Sequence, residues 1–163
     1  MSRKIKAIPE GYHTTTPIFS FKDTRKAIDF YKNAFGATER GVFSSPDGKG
    51  IMHAEILVGD SIIMLGDENP QQSCKSAETL GGSPITTFMY VENVDQAFRR
   101  AVEAGAQSLQ PVADMFWGDR VGTVQDPFGY TWMIATHTKD LTPQEMQQAA
   151  QSVQGGCATM ATK

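Results

Sequence analysis

The sequence predicts an α+β domain of two βαβββ modules, their strands forming a curved, cup-like mixed sheet with the helices on its outside. Three observations carry this. The chain falls into register with itself at a shift of about 70 positions: Phe19-Ser20-Phe21-Lys22-Asp23 lies over Met89-Tyr90-Val91-Glu92-Asn93, and Ile62-Ile63-Met64 over Thr131-Trp132-Met133. Both copies follow one order: strand signal, helix cap, amphipathic helix, a Gly stop at Gly36 or Gly105, then strand signals again. The second copy ends in Asp126-Pro127-Phe128-Gly129-Tyr130-Thr131-Trp132-Met133, a turn that opens into a strand.

Residues 14–21 alternate in part between Thr, Ile and Phe and read as the first strand. Asp23 or Thr24 caps a helix whose Ala27, Tyr31, Ala34 and Phe35 share one face, and Gly36 stops it. Strands follow at 38–43, 51–58 and 61–65, around turns at Pro46-Asp47-Gly48 and Gly59-Asp60, so the first module spans about 9–66. Residues 67–83 are polar and rich in Gly, Pro and Ser, and read as a linker. The second module, about 84–138, begins with a strand at 84–91. Asn93, with Gln96 three residues on, caps a helix whose Ala97, Phe98, Ala101 and Val102 form the buried stripe. Strands at 108–112, 122–125 and 130–136 complete the module. The helices are expected to turn Phe30, Tyr31, Phe98 and Val102 inward. Thr142-Pro143-Gln144-Glu145 starts a C-terminal helix at 143–154, with Met146, Ala149, Ala150 and Val153 on one stripe. A helix with such a stripe is the kind of element that crosses to a partner.

Composition excludes several functions. The 163 residues are 40% hydrophobic and 20% charged, enough for a domain with its own core. A formal charge of −3 without a basic run gives no support to nucleic-acid or acidic-membrane binding. No apolar run approaches the roughly 20 residues of a membrane helix, and the basic start Met1-Ser2-Arg3-Lys4 lacks the apolar stretch of a secretory signal. Cys74 and Cys157 are too few for a disulfide framework, and a cytoplasmic location is expected. Neither a P-loop, a dinucleotide fingerprint nor a Ser-centred elbow occurs, so no cofactor is expected.

His53 and Glu55, two apart in a strand, point to one face. If that face lines the cup, they form an acid–base pair; otherwise it packs on a partner subunit or opens to water. His13 either closes over the cup and meets Glu55 or is a surface residue at the strand entry, and His137 reads as surface. Phe116 and Trp117 form the lip of a pocket or plug the end of their own sheet. Arg120 either clamps an anionic group or braces its loop through Asp119, Asp126 or Glu55. Cys74 has no neighbouring His in sequence and is not expected to be a nucleophile.

Several motifs resemble the vicinal oxygen chelate superfamily, which includes glyoxalase I, bleomycin-resistance proteins and extradiol dioxygenases, and within it the PhnB-like branch. They are Gly11-Tyr12-His13-Thr14, Ala27 to Ala37 with Phe30-Tyr31 and Phe35-Gly36, Met52-His53-Ala54-Glu55, Gly81-Gly82-Ser83-Pro84, Phe116-Trp117-Gly118-Asp119-Arg120, the Asp126–Trp132 run and Ala135-Thr136-His137. The resemblance covers roughly 9–150 and implies the glyoxalase/bleomycin-resistance fold, a homodimer, and a site enclosed by two half-cups. The superfamily's metal ligands fall on Thr16, Met64, Thr86 and Met133, none of which suits a divalent cation. A shift of two residues along the same faces gives Thr14, Ile18, Ile62, Gly66, Pro84, Phe88, Thr131 and Ala135, again without a ligand. No metal is therefore expected at that position, and Thr16, Met64, Thr86 and Met133 are expected to floor a ligand cup. The expected function is binding of a small, mostly apolar molecule. The alternative is a lyase or isomerase using His53 and Glu55, with Arg120 on an anionic group or with a metal relocated to His13, His53 and Glu55.

Overall fold

The computed structural model describes residues 5–69, 71 and 73–152. Val153, Cys157 and the predicted end of the last helix lie outside the described residues. The first module comprises β1 (Ile18–Phe21), α1 (Thr24–Phe35), β2 (Thr38–Ser44), β3 (Ile51–Val58) and β4 (Ser61–Asp67). After a short helix, α2 (Ala77–Leu80), the second comprises β5 (Thr86–Tyr90), α3 (Val94–Glu103), β6 (Gln107–Asp114), β7 (Asp119–Gln125) and β8 (Thr131–His137), followed by α4 (Pro143–Ser152).

Local chemistry starts each helix where the caps stand. Asp23 accepts from Lys26 N and Asn93 from Gln96 N, each satisfying an amide of the first turn. Thr142 and Glu145 form the predicted capping box of α4, with Thr142 N donating to Glu145 at 2.8 Å. The repeat is visible in how the helices are tied down. Thr24 N donates to Asp67 Oδ1 in the first module, and Val94 N donates to Thr136 Oγ1 in the second, both at 2.8 Å. The linker is not structureless: Glu68 accepts from Ser76 N and Oγ, and Ser76 in turn caps α2.

The strands form two four-stranded sheets, ordered β1-β4-β3-β2 and β5-β8-β7-β6. β1 lies parallel to β4, and β5 parallel to β8; the other neighbours are antiparallel. Alternation gives each sheet a helix face. Phe19, Phe21, Ala54, Ile56, Ile63 and Leu65 bury there in the first module, and Val124, Trp132 and Ile134 in the second. With Ile28, Tyr31, Ala34 and Phe35 of α1 and Val94, Ala97 and Ala101 of α3, these make one core.

As predicted, the helices pack on one face of the sheets and leave the other face open. α1 and α3 meet at the module junction, where Arg100 Nε donates to Ala34 O at 2.7 Å, and the rings of Tyr31 and Phe35 pack on Trp132 of the other module. Phe30 and Tyr31 bury as expected, Phe98 packs against the core's edge, and Val102 is 38% exposed. Asp126, 4% exposed, ties the junction: its carboxylate accepts from Tyr31 Oη at 2.7 Å, Trp132 Nε1 at 3.0 Å, and the amides of Phe128 and Tyr130. The turn the sequence marks most densely is thus also a buried polar hub. No helix among the described residues is long and apolar enough to cross a membrane.

Candidate functional site

With the helix faces buried, the opposite face of each sheet is left open. In the first sheet the register sets Ile18, Met64, Glu55 and Gly41 in one row. In the second it sets Phe88, Met133 and Thr123 in a row, and Tyr90, Ala135 and Val121 in the next. Met64 and Met133 therefore hold corresponding positions, both half-buried, beside Ile18 and Phe88. Thr16 precedes β1, and Thr86 opens β5 one pleat away from Met133, pairing with Thr131.

The open face of the first sheet carries a polar cluster. The Tyr12 hydroxyl donates to Glu55 Oε1, and His53 Nε2 lies 3.3 Å from the same oxygen. Arg40 sits 5.8 Å from the centre of the Tyr12 ring, a cation–π contact. Gly11 lets the N-terminal segment reach this place. Its φ of +83° is left-handed, and a Cβ there would stand 3.2 Å from the Arg40 guanidinium and 3.8 Å from Ile62. The hydrogen bond from Tyr12, helped by His53, holds the Glu55 carboxyl below its ordinary value, and the same bond raises Tyr12.

Tyr12→Phe should move the Glu55 titration upward, read by NMR of the side-chain carboxyl. A lowered native value gives stability that is present above the unfolded pKa and is lost as pH falls through the native one. Wild type should therefore lose more stability on acidification below about pH 4.5 than Tyr12→Phe does. Equal Glu55 titrations would refute the bond's role.

The second sheet carries another cluster at the end of its open face. Asp119, 3% exposed, accepts from Tyr90 Oη and Trp117 Nε1, both at 2.9 Å, and lies 2.7 Å from His137 Nδ1. Burial pushes this carboxyl up, but the bonds from His137, Tyr90 and Trp117 outweigh it and hold the group below its ordinary value. Hydrogen bonds to Asp119 and then Asp140 raise His137 in turn.

The structure thus brings His53 and Glu55 together with Tyr12, while His13 is exposed, the surface alternative of its two readings. Phe116 and Trp117 stand edge to face at the end of the second sheet, 5.0 Å between ring centres, with Trp117 anchored on Asp119. Arg120 does not join them. It pairs with Thr136 on the helix side of the sheet, where Asp95 takes it bidentately at 2.8 and 2.9 Å and Asp114 at 3.1 Å. It braces the fold, through carboxylates other than those the sequence suggested. Sequence reasoning missed Tyr12, Tyr90 and Asp119 as site residues. The one available signal was that Tyr12 adjoins His13, a residue weighed as a partner for Glu55.

The four positions that hold metal in the resembling superfamily do not fit a divalent cation, since Thr and Met supply no imidazole, carboxylate or thiolate. Among the described residues, no three His, Cys, Asp or Glu side chains converge to hold a metal ion. Two cavities open at the module junction, of about 1260 and 280 Å³, and neither is lined by His53, Glu55, Met64 or Met133.

Comparison with known proteins agrees with this architecture. An uncharacterized protein of Mycobacterium tuberculosis, Rv0887c, is 40% identical over 143 residues, 86% of this chain and 83% of that protein. The solved structure of the Arabidopsis thaliana gene product At5g48480 superposes with a TM-score of 0.61 at 28% identity, over 76% of this chain and 98% of its own. The PhnB protein from Bacillus cereus shares the fold with a TM-score of 0.60, over 76% of this chain and 99% of its own, at only 15% identity. The model of the glyoxalase/bleomycin resistance protein/dioxygenase superfamily matches residues 13–134, the span that carries both βαβββ modules. The chain belongs to that superfamily.

Proposed function

We propose that the protein binds a small, mostly apolar molecule on its open sheet faces, in the cytoplasm, and that a second copy of the chain completes the cup. The observation that supports this is the set of large apolar side chains left exposed on those faces. Ile18 is 69% exposed, Phe88 43% and Tyr90 62%, each beside or near one of the paired methionines. Exposed apolar patches of this kind mark binding surfaces, and methionine side chains adapt to a ligand's shape. Neither junction cavity is lined by Met64 or Met133, and a homodimer that sets one open face against another would supply a wall for them.

A metabolite-library thermal-shift screen tests the reading. A ligand at 100 times its Kd adds about 2.7 kcal/mol of stability. A hit on wild type should be weakened by Trp117→Ala, which removes the rim ring, and by Met133→Arg, which places a charge on the face. A hit that neither substitution alters would refute the site. Sedimentation should give a species of twice 17.8 kDa, and a monomer at high concentration would remove the second copy.

The Tyr12–Glu55–His53 cluster favours a second reading, a lyase or isomerase acting on the same face. Glu55, kept ionised by Tyr12, would accept a proton from substrate, and His53 would pass it on. Consumption of a screening hit by wild type, and not by His53→Ala or Glu55→Gln, would establish it in place of simple binding.

A further inference from the structure

The two modules repeat, but a turn inserts aromatic rings into the junction on one side only, where a cavity of just about 280 Å³ remains beside Tyr130. On that side the β7–β8 turn sends Phe128 and Tyr130 against β1. Tyr130 stacks on Phe19 at 4.6 Å, and Phe128 meets Phe21 at 5.3 Å. The Tyr130 hydroxyl also binds the backbone edge of β1, accepting from Ser20 N at 3.2 Å and donating to Ser20 O at 2.8 Å. On the other side the corresponding turn, β3–β4, is Val58-Gly59-Asp60-Ser61, with Ser61 in the place of Tyr130. No ring enters there, and the cavity of about 1260 Å³ occupies the space.

What faces that cavity matches the seat of Tyr130. Met89 stands where Phe19 stands in the first module, and Phe35 and Trp132 supply aromatic walls. Tyr90 stands where Ser20 stands. Val91 N donates to Ala135 O at 2.8 Å, so in this parallel pair the alternate residue, Tyr90, turns its backbone N–H and C=O off the sheet edge. Ser61 is too short to reach them as the Tyr130 hydroxyl reaches Ser20.

We propose that this cavity binds a hydroxylated aromatic molecule, its ring against Met89 and Phe35 and its hydroxyl on the Tyr90 backbone, in the manner of Tyr130 on the opposite side. The volume exceeds that of one ring, so a fused bicyclic phenol fits. The cavity borders Phe88 and Tyr90 of β5 but is not lined by Met64 or Met133, so it is centred apart from the paired methionines of the open sheet faces.

The test is a titration of full-length protein with 2-naphthol, followed by its own fluorescence. Saturable binding of one molecule per chain is expected. Ser61→Tyr, which restores the missing ring, should weaken it about tenfold or more, and 2-methoxynaphthalene, which lacks the donor, should bind wild type about fivefold more weakly. Ser61→Ala and Met133→Arg should bind like wild type, the second separating this cavity from the open face. Absence of saturable binding, equal affinity for the methyl ether, unchanged affinity in folded Ser61→Tyr, or loss of binding in Met133→Arg would each overturn the proposal. The ether comparison needs no variant and decides the matter even if Ser61→Tyr does not fold.

Discussion

Asp126→Ala is expected to destabilise the protein by about 4 kcal/mol, since it strands several buried donors at once. The carboxylate accepts from Tyr31 Oη, Trp132 Nε1, Phe128 N and Tyr130 N, and these groups come from both modules. Urea denaturation measures the loss, and a change below about 1 kcal/mol would show that water replaces the carboxylate. The pH dependence has a definite sign. Burial raises the Asp126 carboxyl above 3.8, overcoming its four donors. A raised native value gives stability that is complete below the unfolded pKa and declines as pH rises through the native one. The advantage of wild type over Asp126→Asn should therefore shrink as pH rises from the acid side.

Trp132→Ala should cost a similar amount, about 4 kcal/mol, by a different route. The indole is 1% exposed and touches the rings of Phe19, Tyr31 and Phe35 across the junction. Its removal leaves a cavity against the first module and takes one donor from Asp126. Because the two residues share that bond, the double variant should lose less than the sum of the single losses. Strict additivity in urea would mean that the hub and the aromatic junction act separately.

The helices and strands were legible because their signals are local. Asp23, Asn93 and Thr142 cap where their side chains and spacing say they cap, and the stripe of Ala27, Tyr31, Ala34 and Phe35 buries as a unit. The packing of modules was not legible. An apolar helix face reads the same whether it meets its own sheet or a neighbouring helix, so the sequence does not say that α1 meets α3. Arg120 shows how much one residue of register matters. Its neighbours Asp119 and Val121 point to the open face, and Arg120 therefore points to Asp95. The strand signal at 122–125 missed Asp119, because an acidic strand start has no apolar mark. Tyr12 lay in plain view, but its bond to Glu55 spans 43 positions and depends on the path that Gly11 gives the N-terminal segment.

The claim that the open sheet faces bind the ligand is tested most directly by NMR of methionine methyl groups, titrated with a hit from the thermal-shift screen. Met64 and Met133 lie on the open faces, Met89 lines the junction cavity, and Met146 lies on α4. The account predicts that the Met64 and Met133 resonances shift with the ligand while Met146 stays in place. Shifts confined to Met89, or to Met146, with Met64 and Met133 unmoved at saturation, would contradict it.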